Sequence, residues 1–241
     1  MFTSQSRAAL GMALGVMLGA AAGVTTLASP RALRAQGSVS GRITIQERTD
    51  ARTPDLASAV VYLEPAAGAA TPRAAEPVTA QIAMESRTFI PRVRVVPVGS
   101  TVEFPNQDPF RHNVFSNSGP TEFDLGLYGR GESKGVALRK PGVFTIFCNI
   151  HARMSAFVVA VSTPHFTQAG ADGRFTLAGV PAGRYTLHVW HDRGGAETRA
   201  IDVPAGGVQD AEVRLDARGY KVATHKNKFG QEYTATGRDR Y

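Results

Sequence analysis

From Gly37 onward the chain runs in short β-branched or aromatic stretches separated by Gly, Pro, Asn and Asp, with no amphipathic helical pattern between them. This predicts an all-β protein, a sandwich or barrel. Strands are expected at Ser38–Thr44, Ala59–Leu63, Arg92–Val96, Thr101–Phe104, His112–Ser116, Glu132–Leu138, Val143–Cys148, Ala156–Val161, Arg174–Leu177, Arg184–Trp190, Thr198–Val203 and Ala211–Leu215. Along Val143–Cys148 the side chains alternate faces, so Phe144, Ile146 and Cys148 point the same way, inward. The thiol then leaves the end of a core strand, and Asn149-Ile150 opens a loop that can return His151 and Met154 towards it.

The ends and junctions read differently. Residues 1–35 hold no acidic residue, begin with Arg7 as the first charge and run apolar from Ala8 to Leu27, which predicts a secretory signal peptide. Cleavage is expected after Ala28 or after Ala35, and the alternative is an uncleaved N-terminal anchor helix. No other segment is apolar enough to span a membrane. Residues 66–79 lack either period and read as a linker, and residues 216–241 are polar, with Lys221, Lys226, Lys228, Arg238 and Arg240, and read as an extended or disordered basic tail.

Composition narrows the function. The 241 residues are 43% hydrophobic and 20% charged, an ordinary globular balance. Removing Arg7, Arg31 and Arg34 with the leader takes the formal charge from +7 to +4, and no basic run reaches a nucleic-acid patch, so nucleic acid is not an expected partner. Cys148 is the only cysteine. An exported protein with one cysteine has no internal disulfide, and the odd thiol needs another role, such as metal binding.

The neighbours of Cys148 point to copper. Cys148, His151 and Met154 stand at three-residue steps in Phe147-Cys148-Asn149-Ile150-His151-Ala152-Arg153-Met154, and His112 offers a second imidazole. A thiolate, two neutral imidazoles and a weak axial thioether are the ligands of a mononuclear type 1 copper site. Zinc suits the set less well. Phe110, Phe115, Phe144 and Phe147 would limit water access. In Leu187-His188-Val189-Trp190-His191 the two histidines take opposite faces and cannot share one ion without a bulge. His165 and His225 read as surface residues.

Two resemblances fit these motifs. Met84-Glu85-Ser86-Arg87-Thr88-Phe89-Ile90-Pro91, the stretch from Val96 to Asp108, His112-Asn113-Val114, Pro141-Gly142 and Cys148-x-x-His151-x-x-Met154 together resemble the cupredoxins, in the plastocyanin and amicyanin group, over about residues 80–161. The resemblance implies a Greek-key β-sandwich with copper held by His112, Cys148, His151 and Met154. Arg111 and Arg153 depart from the apolar surround usual there. Gly37–Thr44 with Ala59–Leu63, and Asp172–Leu177 with Gly179–Leu187, resemble the two halves of a carboxypeptidase regulatory-like, or transthyretin-like, β-sandwich. The expected order is a signal peptide (1–35), N-terminal strands of that sandwich (37–65), the linker (66–79), a cupredoxin domain (80–163), C-terminal strands of the sandwich (164–215) and the tail (216–241).

The expectation is therefore an exported, periplasmic or secreted, blue copper protein that carries single electrons and is not an enzyme. Its partner is expected to be a redox protein such as a c-type cytochrome or an oxidoreductase. The alternatives are a copper-binding or trafficking protein without redox cycling, and a structural or carbohydrate-binding β module with a vestigial site.

Overall fold

A computed structural model describes residues 36–48, 55–221 and 225–233; the leader expected over residues 1–35 lies outside them. Apart from a 3-10 turn at Leu56–Ser58, the regular structure is all β. In one sheet β1 (Gln36–Gln46) lies between β14 (Arg174–Pro181), antiparallel, and β17 (Val208–Asp216), parallel. A second sheet runs β13 (Phe166–Gln168), β2 (Val60–Pro65), β15 (Gly183–His191), β16 (Gly195–Val203). These two sheets enclose one core, with Val39, Ile43, Val61, Leu63, Phe175, Leu187 and Val213 buried in it. The strands before residue 66 thus pair with strands after residue 165.

The chain between them builds another sandwich. Its five-stranded sheet runs β6 (Val93–Pro97), β12 (Ser155–Val161), β11 (Gly142–Cys148), β8 (His112–Ser116), β9 (Phe123–Tyr128). Facing it are β10 (Ser133–Ala137), β7 (Thr101–Pro105) and β3 (Thr79–Gln81), with a small hairpin of β4 (Ala83–Glu85) and β5 (Thr88–Ile90) beside them. Phe89, Phe104, Val114, Phe144, Ile146, Cys148, Met154 and Val158 share its core.

Alternation explains how the two sandwiches meet. In β12, Ala156, Val158 and Ala160 face the second core while Phe157, Val159 and Val161 face the other way. In β2, Val61 and Leu63 face the first core while Val60 and Tyr62 turn outward. These outward residues join Val93, Phe166 and Trp190 in a third apolar cluster, so β2 and β12 are buried on both faces. The result is four sheets in a stack. Each Val at the junction contributes on the order of 2 kcal/mol by burial.

All twelve strands expected from the sequence are present, with ends shifted by a few residues, and β8 has the same bounds. The five unexpected ones are β3, β4, β5, β13 and β9. Four of these are three residues long, too short to show a period of two, and β9 is interrupted by Gly126 in the left-handed region. The Asp172-Gly173 turn forms as read: Asp172 Oδ1 accepts the Arg174 N–H at 3.0 Å, and Gly173 takes φ +79°. Residues 66–78 carry no strand and are mostly exposed. No helix among the described residues is long and apolar enough to cross a membrane.

Candidate metal centre

The site lies at the ends of two neighbouring strands. Cys148 pairs with Val114 in the β11–β8 ladder, so the last residue of β11 stands close to the first residue of β8, His112. The burial of β11 alternates as read, with Phe144, Ile146 and Cys148 inward. Beyond Cys148 the chain turns at once: the Met154 N–H donates to the His151 carbonyl at 3.0 Å, and the Cys148 N–H to the Met154 carbonyl at 3.2 Å. This loop brings His151 back onto Cys148 and seats Met154 in the same core, 2% exposed.

Three donor atoms converge. Cys148 Sγ lies 3.6 Å from His112 Nδ1 and 3.5 Å from His151 Nδ1, and the three atoms fall within 4.8 Å of one another. Donors that share one small ion through bonds of about 2.0 Å (nitrogen) and 2.3 Å (sulfur) stand about 3.5 to 3.7 Å apart. The spacing fits a metal ion held between them.

The protonation states fit as well. Asp108 Oδ2 lies 2.7 Å from His112 Nε2 and accepts its proton, which leaves the Nδ1 lone pair facing the sulfur. Burial lowers the pKa of His112, against the pull of Asp108, so the ring is neutral. Burial alone would raise the Asp108 pKa. The Arg87 N–H, His112 and the Ser86 N–H hold the carboxyl below its usual range instead. Burial pushes the Cys148 thiol up, while the backbone N–H groups of Asn113, Ile150 and His151 directed at the sulfur draw it partly back. These same N–H groups stabilise negative charge on sulfur.

Aromatic groups wall the site. The Phe110 ring meets His112 at 5.2 Å and His151 at 5.7 Å between centroids, and the Arg87 guanidinium covers its other side at 4.9 Å. Phe115 packs on Phe147 at 5.7 Å. Of the four residues singled out from the sequence, the structure brings the donor atoms of His112, Cys148 and His151 together, and Met154 shares the core with Cys148. The sequence motif assigns Asp108 no role; the signal for it is a carboxylate four residues before the first histidine.

A second cluster, Asp55, His191 and Asp192, also brings donor atoms together. Here both imidazole nitrogens meet protein groups and arginines hold the carboxylates, although Asp192 Oδ1 itself accepts no hydrogen bond. The Arg193 N–H donates to His191 Nδ1 at 3.2 Å, and His191 Nε2 donates to the Asp55 carbonyl at 3.3 Å. Arg193 pairs with Asp55 at 2.5 Å and with Glu47, and Arg92 pairs with Asp192 at 2.8 Å. The cluster is an ion-pair network that ties the loop after β15 to the residue before β6. His188 is on the opposite face, stacked on Tyr62, as alternation requires.

Residues 152–216 match the carboxypeptidase regulatory-like domain. Solved structures to which the chain is similar include cupredoxins and a copper-containing nitrite reductase. A purple cupredoxin from Nitrosopumilus maritimus is 22% identical over 34% of this chain and 99% of its own, with a TM-score of 0.32. A reduced amicyanin point mutant is 18% identical over 34% of this chain and 82% of its own, with a TM-score of 0.32. A copper-containing nitrite reductase from Thermus scotoductus SA-01 is 27% identical over 49% of this chain and 28% of its own, with a TM-score of 0.34. No curated protein matches the sequence.

Of the two histidines read as surface residues, His165 is buried and His225 is half-buried. His165 is 9% exposed beside Tyr185. His225 stacks on Phe147 at 4.3 Å. Each sits in a polar stretch with no alternation to announce burial, and its cover comes from strands distant in sequence.

Proposed function

We propose that this chain is an exported mononuclear type 1 copper protein that passes single electrons between redox partners and transforms no substrate of its own. The observation that carries the reading is the convergence of Cys148 Sγ with the two imidazole Nδ1 atoms at 3.5 and 3.6 Å, with Cys148 and His112 fully buried. A bound copper ion supplies the one-electron couple. The chain supplies everything else. Cys148 provides the soft thiolate, His112 and His151 the imidazole nitrogens, and Met154 a weak axial thioether that tunes potential. Asp108 fixes the His112 ring, and β8 and β11 keep its nitrogen and the sulfur at one spacing, which suits a site that must serve two oxidation states with little rearrangement. Phe110 keeps water from both histidines.

The surroundings favour an acidic partner. Arg87, Arg111 and Arg153 are exposed on residues that contact, adjoin or share the loop of the ligands. A periplasmic c-type cytochrome or an oxidoreductase with an acidic docking face is the class this charge selects. Voltammetry of the copper-loaded protein tests the function: a reversible one-electron wave is expected. Bound copper without such a wave would favour the holding or trafficking role instead.

A further inference from the structure

Beyond the last strand the chain returns to the ligand loop. Asn227 Oδ1 accepts the N–H groups of Phe229 and Gln231, both at 2.9 Å, and the Gly230 N–H meets the Asn227 carbonyl at 2.9 Å. Residues 227–231 therefore form an ordered turn, unlike the loose tail expected from composition. Gly230, at φ +76°, takes the conformation this turn demands.

Three polar contacts from this segment end on the loop. The Tyr233 hydroxyl donates to the Cys148 carbonyl at 2.8 Å, the Lys228 N–H donates to Asn149 Oδ1 at 2.8 Å, and the His225 ring lies between two carbonyls, Nε2 3.3 Å from that of His151 and Nδ1 2.9 Å from that of Lys226, its tautomer deciding which one it donates to. Lys228 Nζ also holds Asp124 of β9 at 2.6 Å. The His225 ring lies nearly parallel to Phe147, 26° off, and Tyr233 stands edge-on to His225 at 5.3 Å. Two of the three contacts fall on the ligand residues Cys148 and His151 themselves, and the third on the residue after Cys148. A loop whose carbonyls are fixed from outside has fewer conformations open to it, so the ligands are placed before the metal arrives.

We infer that the C-terminal segment 225–233 is a brace for the metal centre, with Tyr233 and His225 as positioning residues for Cys148 and His151. The inference rests on the copper reading for its purpose, while the bracing contacts themselves are between protein groups. Neither residue touches the metal. Each acts through a ligand's backbone, so its loss alters how the thiol and imidazole are presented rather than which atoms are present.

The test uses the full-length chain with Tyr233→Phe, His225→Leu and His225→Gln, the last keeping an amide N–H donor. In metal-free protein, the rate of Cys148 reaction with an aromatic disulfide reports opening of the loop. Tyr233→Phe and His225→Leu are expected to speed it by about fivefold to tenfold, the factor one lost hydrogen bond implies, and His225→Gln should restore most of the parent rate. In Cu(II)-loaded protein the same two variants should shift the thiolate-to-copper band while the thermal midpoint of the metal-free form stays near the parent's. Thiol rates within twofold of the parent in both variants would overturn the brace. So would a lowered midpoint with an unmoved band, which is a merely structural role. If the parent binds no Cu(II), the copper reading fails on its own and the metal-free thiol rates still decide this one.

Discussion

At His112, Cys148 and His151 three donor atoms face one another and the His112 Nδ1 lone pair is directed at the sulfur, whereas at Asp55, His191 and Asp192 both imidazole nitrogens meet protein groups and Arg193 and Arg92 hold the carboxylates. Each cluster contains a fully buried histidine and at least one partly exposed member. The difference lies in the second partner of each ring. Asp108 takes the far nitrogen of His112 and leaves the near one as an acceptor; in His191 a protein group meets both nitrogens. A buried donor cluster becomes a candidate for an ion when its lone pairs are left over, and a structural network when they are spent on cations.

Substitutions at the two clusters should therefore fail in opposite ways, and the largest effect is at Cys148. Cys148→Ser should abolish copper binding and colour, since an alcohol cannot replace a soft thiolate, while metal-free stability changes by about 1 kcal/mol or less. Metal content and thermal melting check the pair. Arg193→Ala should reverse the pattern: Glu47 and Asp55 lose their cation and stability falls by about 3 kcal/mol, yet one copper still binds per chain. Loss of copper in Arg193→Ala, with the fold intact, would dissolve the distinction between the clusters.

Asp108→Asn is a finer probe of the same contrast. An amide turned to offer N–H to His112 Nε2 no longer selects the tautomer whose Nδ1 lone pair faces the sulfur, so affinity for Cu(II) should drop about 10-fold to 100-fold. Competition titration against a chelator measures it. Met154→Leu should keep the protein blue and raise its potential, because the axial bond is weak. Loss of most bound copper in that variant would mean Met154 is a strong ligand.

The smallest effect lies outside both clusters, at His165. Burial lowers its pKa below the ordinary 6.5, and its Nε2 has no hydrogen-bond partner. As pH falls through that ordinary value the unfolded chain takes up the proton first, so the stability present above it is lost in the window below it. Thermal midpoints of the metal-free protein above and below that value should fall less in His165→Gln than in the parent.

Much of this was legible in the sequence because it is local. Cys148, His151 and Met154 are three steps apart on one strand end and its loop, and period-two alternation in β11 gives the inward thiol. The pairing of β1 and β2 with strands after residue 165 was expected from the resemblance of the two segments to halves of a carboxypeptidase regulatory-like sandwich. What escaped is long-range and polar. Tyr233 reaches Cys148 across 85 residues and Arg193 reaches Asp55 across 138, and neither segment carries a period that predicts burial. The role of Asp108 depends on a turn that folds it back four residues, which composition does not encode.

The central claim, that Cys148 with His112 and His151 holds copper, is tested most directly by titrating the metal-free protein with Cu(II) and recording its visible spectrum. An intense thiolate-to-copper charge-transfer band that grows to one equivalent, and is absent in Cys148→Ser, is the predicted result. A titration with no such band, or a band that survives the loss of Cys148, would contradict it.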